Sequence, residues 1–404
     1  MQENTRKPAI RFSGFNDAWE QRKFGEIVDK YEDPVPTPHD GYTRLGIRSH
    51  AKGTFHTYVA KGRELETAQM HKVAAHNFIV NITFGWEHAV AITDENDAGK
   101  LVSHRFPQYS FHENMVPDFF RFVIVNEKFR HHLWLASPGG AGRNRVLKLD
   151  EMLEYPMNFP SKDEQEKIAA FFLNLDNLIT LHQREYAKLV NVKKSMLEKM
   201  FPKSGAKVPE IRFAGFTDPW EQRKLSEFVE FFSGLTYTPN DVQESGTLVL
   251  RSSNVCDGEV VDADNIYVNS DVVNSENVQK GDIVVVVRNG SRALIGKHAQ
   301  IKRFMPNTVI GAFMTGIRCD CPPFTNALLN TPAFEKEIAI NMGATINQIT
   351  GYMFSKMEFL IPDLEERRKI GEFFDDLDNL ITLHQRELEK LQNIKKSCLE
   401  KMFV

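Results

Sequence analysis

The chain of 404 residues is two copies of one plan, and this repeat constrains its fold more than any other feature. Residues 8–23 (PAIRFSGFNDAWEQRK) recur as residues 209–224 (PEIRFAGFTDPWEQRK). Residues 175–185 (LDNLITLHQRE) recur letter for letter as residues 377–387. A solenoid needs more copies and a far shorter period. The repeat therefore predicts two like domains with pseudo-twofold symmetry.

The segments that close the two halves are predicted to be long helices. Pro160 and Pro362 suit a first helical turn, and acidic residues follow both. Apolar residues then recur about every 3.5 positions, which is typical of a coiled-coil seam. The predicted seam positions are Leu175, Ile179, His182 and Leu189 in the first tail and Leu377, Ile381, His384 and Leu391 in the second. The simplest partner for one seam is the other, packed antiparallel.

The two histidines interrupt this apolar seam. A hydrogen-bonded pair that marks the register of the helices is one interpretation of His182 and His384. A metal-binding pair and a pH switch are the alternatives, and the spacing alone does not decide between them.

The bodies between the repeated blocks read as mixed α/β structure. Short runs of β-branched and aromatic residues, such as 77–84, 119–125 and 281–288, are bounded by turn residues. We expect curved, mostly antiparallel sheets, with short helices from 113–118 to 136 and over 326–341. The predicted fold class is α+β, with two pseudo-twofold-related mixed α/β domains separated by an antiparallel two-helix coiled coil. The predicted boundaries are 1–159 for the first domain, 160–201 for its helix, 202–211 for a linker, 212–361 for the second domain and 362–404 for its helix.

Composition excludes several classes of protein. The net charge of −4 gives no overall attraction to nucleic acid or to an anionic membrane. No window approaches the ~20 consecutive apolar residues of a membrane helix, and the first residues do not resemble a signal peptide. The four cysteines form no disulfide framework and have no zinc spacing. We expect a cytoplasmic protein without a metal site.

A search for catalytic motifs is mostly negative. There is no phosphate-binding loop and no nucleophile elbow. Residues 321–324 (CPPF) resemble the Pro-Pro-aromatic motif of amino-methyltransferases, with Cys321 in place of the amide or carboxylate; a loop that enters a helix is the alternative. Asp118 with Glu127 and Lys128 lacks the Glu-x-Lys spacing of metal-dependent nucleases. We therefore predict no catalytic residue.

Basic and amide side chains cluster in loops at corresponding places in the two bodies. Arginine suits guanine, asparagine and glutamine suit adenine, and serine or threonine reaches phosphate, so these loops are candidates for DNA contact. The first body contributes Arg44, Arg48, Ser49, Arg143, Asn144 and Arg145. The second contributes Arg251, Ser252, Asn254, Arg288, Asn289, Arg292, Thr345, Asn347 and Gln348.

This arrangement resembles the specificity subunits of type I restriction–modification systems. The resemblance rests on the repeated RFxGFxDxWEQRK block and on the tails that begin EQEKIAAFF and EERRKIGEFF and continue into LDNLITLHQRE. Residues 343–348 (GATINQ) also resemble the exit from a target-recognition domain of that family. The first body differs at the equivalent place, residues 139–145 (GGAGRNR). The resemblance covers essentially the whole chain.

The resemblance implies a non-catalytic DNA-recognition subunit with two target-recognition domains. Each domain would read half of an asymmetric bipartite site on double-stranded DNA, and the helices would set the gap. The chain would recruit two adenine-N6 methyltransferase (modification) subunits and the restriction subunits. S-adenosylmethionine, ATP and Mg²⁺ would belong to those partners, with no cofactor in this chain. A coiled-coil scaffold without DNA, and a self-contained methyltransferase or nuclease, are the alternatives.

Two kinds of residue on the shared segments are assigned roles. Leu175, Ile179, Leu189, Leu377, Ile381 and Leu391 are predicted to form the core of the spacer. Trp19 and Trp220 are candidates for docking a partner subunit, and a small core beneath the start of each domain is the alternative for both.

Overall fold

The computed structural model describes residues 6–65, 69–139, 145–256, 258–342 and 347–404. The chain divides into two compact units. The first unit comprises residues 1–181 with 388–404, and the second comprises residues 182–387. No helix in the described ranges is long and apolar enough to cross a membrane.

The first unit combines short strands with short helices. Its strands are β1 (Glu20–Lys23), β2 (Val28–Tyr31), β3 (Pro34–Pro36), β4 (Tyr42–Ile47), β5 (Thr54–Val59), β6 (Gln69–Lys72), β7 (Phe78–Val80), β8 (Val90–Ile92), β9 (Leu101–Val102), β10 (Gln108–Phe111) and β11 (Pro156–Phe159). Its helices α1 (Pro117–Val123), α2 (Glu127–Leu135) and α3 (Leu149–Leu153) precede β11. The sheet orders are β1-β11, β2-β10-β7-β8 and β3-β6-β9-β4-β5.

The second unit repeats this plan. Its strands are β12 (Glu221–Lys224), β13 (Glu230–Ser233), β14 (Val242–Gln243), β15 (Thr247–Leu250), β16 (Val255–Cys256), β17 (Glu259–Val260), β18 (Ile266–Val268), β19 (Ile283–Val286), β20 (His298–Gln300), β21 (Thr308–Ile310), β22 (Met314–Arg318) and β23 (Glu358–Ile361). The sheet orders are β12-β23, β13-β22-β19-β20, β14-β18-β15-β21 and β16-β17. Helices α4 (Pro322–Leu329), α5 (Pro332–Asn341) and α6 (Gly351–Lys356) precede β23.

The prediction of mostly antiparallel pairing is confirmed, with a parallel pair in each unit. Strand β4 pairs parallel with β9, and β15 pairs parallel with β21. One central strand of the second unit is buried on both faces. In β19, Ile283 and Val285 enter one hydrophobic cluster while Val284 and Val286 enter another. The unbroken apolar run of 283–286 therefore reflects a strand between two cores.

The long helices follow β11 and β23. Helix α7 spans Lys162–Lys199 and α8 spans Leu364–Lys401. Both prolines expected in the first turn, Pro160 and Pro362, lie two residues before the first helical residue. Asp363 instead caps α8, since its Oδ1 accepts a hydrogen bond from the amide of Glu366 at 2.9 Å.

The long helices pair antiparallel within each unit. In the second unit, Nδ1 of His182 lies 3.0 Å from Nδ1 of His384, and Nζ of Lys193 lies 2.5 Å from Oδ1 of Asp378. The partner number falls as the residue number rises, which defines the antiparallel sense. In the first unit the repeat-equivalent ion pair joins Lys395 to Asp176 at 2.5 Å.

Candidate nucleic-acid interface

Three of the loops predicted to contact DNA meet in the second unit. The side-chain amide of Asn289 donates a hydrogen bond to the hydroxyl of Ser252 at 3.0 Å. Its backbone amide donates to the carbonyl of Asn347 at 3.3 Å. The Asn347 side chain in turn donates to the carbonyl of Gly290 at 3.0 Å. Loops that are far apart in the chain thus form one hydrogen-bonded surface.

A fourth segment, the turn before β22, joins this surface. The backbone amides of Val287 and Arg288 donate to the carbonyl of Phe313 at 3.0 and 3.2 Å. The Arg288 guanidinium carbon lies 5.0 Å from the centre of the Phe313 ring, which is cation–π distance. Arg288 also forms an antiparallel bridge with Gln348. Sequence reasoning missed Phe313, although an apolar aromatic residue between strands was a usable signal.

The sheet topology explains why these loops meet. Strands β15 and β21 run parallel, so the segments that follow them, 251–254 and 311–313, leave the same edge. Strand β19 pairs antiparallel with β22, which brings the end of β19 beside the start of β22. The loop 288–292 therefore arrives at that edge as well.

A half-buried ion pair at the opposite end of β19 and β22 helps to fix their register. The Arg318 guanidinium donates to both carboxylate oxygens of Asp282, at 2.9 Å each. This hydrogen bonding raises the pKa of Arg318. A bidentate pair of this kind adds geometric specificity to the pairing.

The first unit assembles corresponding loops with different side chains. The hydroxyl of Ser49 donates to the Glu87 carboxylate at 2.6 Å. The Arg48 guanidinium lies 5.3 Å from the Phe55 ring and donates to the carbonyl of Thr54. Arg48 itself remains exposed.

Arg145 is held at the same surface of the first unit. Its guanidinium lies 4.9 Å from the ring of Trp134, an exposed aromatic residue. Two positions further on, the amide of Leu147 donates to the carbonyl of Ile82 at 2.9 Å, just after β7. Arg145 thus lies beside the segment that follows the central strand.

Several residues predicted to contact DNA have structural roles instead, and others lie outside the described residues. Arg44 belongs to strand β4, opposite Thr57, and not to a loop. Asn254 is fully buried, where its side-chain amide donates to the carbonyl of Ala263 at 2.6 Å. Arg251 donates to the carbonyl of Asp264 at 2.5 Å. Arg292 is exposed beside this surface. Arg143, Asn144 and Thr345 lie outside the described residues.

The proposed docking role of the two tryptophans is wrong for their side chains. Trp19 and Trp220 are each 1% exposed, and they pack against Phe119 and Phe324 in the cores of their units. The repeated block puts a large apolar side chain beneath the start of each domain, where burial is favourable. The core alternative therefore describes both residues.

The predicted seam residues divide between helix pairing and domain cores. Leu175 and Leu377 are buried within the main clusters of the first and second units. Leu391 packs against the first cluster and Leu189 against the second. Ile179 and Ile381 are half-buried. His182 and His384 are hydrogen-bonded to each other.

The described residues contain no constellation for metal chemistry. No three His, Cys, Asp or Glu side chains within them are grouped so as to hold a metal ion. Cys321 precedes α4, which begins at Pro322, as expected for a loop that enters a helix. Burial raises the pKa of the Cys321 thiol, which opposes thiolate formation.

Comparison with known proteins gives the same family throughout. The family model for the type I restriction modification DNA specificity domain matches residues 57–191 and 217–393. The MjaVIII type I restriction enzyme specificity subunit of Methanocaldococcus jannaschii is 26% identical over 294 residues, covering 69% of this chain and 68% of that protein. The StySPI specificity subunit of Salmonella potsdam is 25% identical over 186 residues, covering 44% and 40%. The type I restriction–modification S subunit from M. genitalium shares the fold, with a TM-score of 0.57, 14% identity and coverage of 98% and 99%.

The chain belongs to the type I restriction–modification DNA specificity family, because the family model matches most of both halves. Members of this class are the non-catalytic subunits that give a restriction–modification complex its DNA sequence specificity. The resemblance drawn from the repeated motifs is thereby confirmed.

Proposed function

We propose that each unit reads one half of an asymmetric bipartite DNA site through its assembled loop surface. The observation that carries this proposal is the meeting of loops 251–254, 288–292, 311–313 and 347–348 at one sheet edge. Such an edge presents side chains as a rigid set, which base readout in the major groove requires. Because the loops differ between the units, the two half-sites differ in sequence.

We assign base contact to six exposed or half-buried residues of these surfaces, and a supporting role to three half-buried residues whose side chains are hydrogen-bonded to neighbouring loops. Arg288, Arg292, Asn347 and Gln348 supply donors in the second unit, and Arg48 and Arg145 supply them in the first. Ser49, Ser252 and Asn289 orient neighbouring loops through their hydrogen bonds. Arg143, Asn144 and Thr345 remain predicted contacts.

Two copies of one modification subunit bind the repeated helices in this proposal. The helices expose the same apolar pair twice: Leu178 and Leu181 are 44% and 54% exposed, and Leu380 and Leu383 have the same values. Identical exposed sequences suit two copies of one partner. Replacing Leu178 and Leu181 by serine should reduce the modification subunits in the complex from two to one by native mass spectrometry. The matched control replaces exposed Lys188 and Glu389, which should leave two.

The lengths of α7 and α8 set the gap between the half-sites in this proposal.

Restriction subunits complete the complex, and the partners carry S-adenosylmethionine, ATP and Mg²⁺. The complex acts where chromosomal DNA is accessible, in the cytoplasm.

A genome-wide map of N6-methyladenine tests the proposal. Cells that express the chain with its modification subunit are compared with cells that lack the chain. We expect a new asymmetric bipartite motif, methylated once on each strand. Absence of a new motif, with the complex confirmed as assembled, would contradict the proposal.

A further inference from the structure

The two units share a backbone framework around their loop surfaces, which allows residues to be matched without sequence similarity. In the first unit the amide of Leu147 donates to the carbonyl of Ile82 at 2.9 Å. In the second unit the amide of Ile349 donates to the carbonyl of Val287 at 2.9 Å. Ile82 and Val287 follow the equivalent central strands β7 and β19. These two positions therefore correspond.

A second pair of hydrogen bonds extends the match to the neighbouring strand. The amide of Ile82 donates to the carbonyl of Arg105 at 3.0 Å, and the amide of Val287 donates to the carbonyl of Phe313 at 3.0 Å. Each acceptor lies just before the next strand of its sheet, β10 or β22. Arg105 and Phe313 thus occupy the same backbone position in the two units.

The side chains at this position are exposed in both units and differ in chemistry. Phe313 is 55% exposed at the edge where the loops of the second unit meet. Arg105 is exposed, and within the described residues its guanidinium has no hydrogen-bond or ion-pair partner. Arg48, Arg251 and Arg288 are by contrast engaged with carbonyls or rings of their own unit. All five donors of Arg105 are therefore available to a ligand.

We propose that Arg105 and Phe313 determine one base each in the two half-sites, and this proposal rests on the proposed function. Arg105 donates to N7 and O6 of a guanine, the geometry that a guanidinium fits best. Phe313 contacts the C5 methyl group of a thymine, the apolar feature of the major groove. Arg288 keeps its own base contact, and its packing on the Phe313 ring also holds that ring in place.

The test uses the full-length chain in complex with its modification subunit and the bipartite sequence found by methylation mapping. Thymines of the second half-site are replaced one at a time by uracil, which lacks only the C5 methyl. One replacement should weaken wild-type binding about fourfold, the effect of one buried methyl group. In Phe313→Ala, thymine and uracil should bind equally at that place.

Guanines of the first half-site are probed in the same way with 7-deazaguanine, which lacks the N7 acceptor. Wild type should lose roughly tenfold in affinity at one guanine, and Arg105→Ala should not respond there. The control variants are Phe304→Ala and Arg63→Ala. Phe304 is 80% exposed in the turn before β21, at the strand end away from the loop surface, and Arg63 is exposed after β5. Both should retain the wild-type responses.

The reciprocal variant protects the test against a loss caused by misfolding. Phe313→Arg should exchange the thymine preference for guanine at that one position and leave the other half-site unchanged. Suppose that the complex reads a bipartite site normally and that Phe313→Ala still responds to uracil as the wild type does. This result would overturn the present inference and leave the proposed function intact. Wild-type binding that does not depend on any thymine methyl in the second half-site would also overturn it for Phe313. A complex that selects no bipartite site would overturn the proposed function as well.

Discussion

Nε of Arg11 lies 2.6 Å from Oε1 of Glu164, a carboxylate that is fully buried where the long helix α7 begins. The second unit repeats the contact between Arg212 and Glu366 at 2.7 Å. Each pair ties the repeated block that opens a half to the helix that closes it. The surroundings differ in one respect: Nε1 of Trp220 donates to Glu366 at 3.2 Å, whereas Nε1 of Trp19 has no partner among the described residues.

Removing the buried carboxylates should destabilise the two units to different extents. Glu164→Ala leaves the Arg11 charge without its partner and should cost about 3 kcal/mol of unfolding free energy. Glu366→Ala should cost more, because Arg212 and the Trp220 indole both lose their acceptor. Urea unfolding of the full chain measures both values. Glu365→Ala, at an exposed neighbour, should change stability by less than about 0.5 kcal/mol. Equal losses in the two variants would show that the indole bond is unimportant.

Recognition of the two half-sites should be separable by mutation. Arg288→Ala removes a donor from the second surface and should relax or weaken reading of one half-site only, by about 1–3 kcal/mol at the affected base. Arg145→Ala should do the same for the other half-site. Methylation mapping of each variant complex measures both effects. Arg303→Ala, exposed in the turn before β21, is the control and should alter neither half. A change of both half-sites by one variant would refute the assignment of one half-site to each unit.

The gap between the half-sites should follow helix length. We expect that one heptad inserted after Glu185 and one after Glu387 will lengthen the recognised gap. Seven helical residues add roughly 10 Å, about three base pairs of DNA. Both half-site sequences should persist, since no loop is altered. The control inserts the heptad after Glu185 alone, which breaks the pairing seen between Lys193 and Asp378 and should abolish recognition. An unchanged gap in the double insertion would contradict the proposal that the helices set the gap.

The ends of the chain should tolerate circular permutation. In the first unit the amide of Ile10 donates to the carbonyl of Lys401 at 3.0 Å, and in the second unit the amide of Ile211 donates to the carbonyl of Lys199 at 2.9 Å. A second copy of the linker residues 202–208, placed between Phe403 and Pro8, should therefore join the two ends of the chain. The natural linker joins the two halves in the same way. New ends between the exposed Ser204 and Gly205 should leave the melting temperature within a few degrees of wild type. New ends inside the buried strand β8, between Ala91 and Ile92, should prevent folding. Equal stability of the two permutants would contradict this.

Alkaline pH should destabilise the first unit through Tyr109. Burial raises the pKa of this phenol from 10.0 to about 12. The folded state then holds its proton to higher pH than the unfolded state, so the stabilisation is complete below pH 10 and is lost as the pH rises towards 12. Tyr109→Phe should make the urea midpoint fall less steeply over this range. Tyr58→Phe, at a residue 67% exposed, should not. The same steepness in wild type and Tyr109→Phe would exclude this residue as the cause.

The repeated blocks and the periodicity of the tails were sufficient to predict the general architecture. Spacing of Leu175, Ile179 and His182 predicted the long helices, and the length of the repeat predicted two like units. The same local patterns could not assign Trp19, Asn254 or Arg44. A tryptophan in a repeated block can either dock a partner subunit or fill a domain core, and the sequence does not distinguish these roles. An arginine next to a predicted strand does not show whether the strand includes it or ends before it.

The sequence by itself therefore determined the helices, the strands, the repeat and the family. These features can be read from stretches of residues that are contiguous in the chain. Helical periodicity is set by residues three and four positions apart, so it can be read directly. Only the tertiary structure decided which loops meet. The surface that joins Ser252, Asn289, Asn347 and Phe313 depends on the parallel pairing of β15 with β21 and on the place of β19 beside β22. These contacts link segments tens of residues apart, and their register depends on the packing of both faces of the sheet, which no local pattern records.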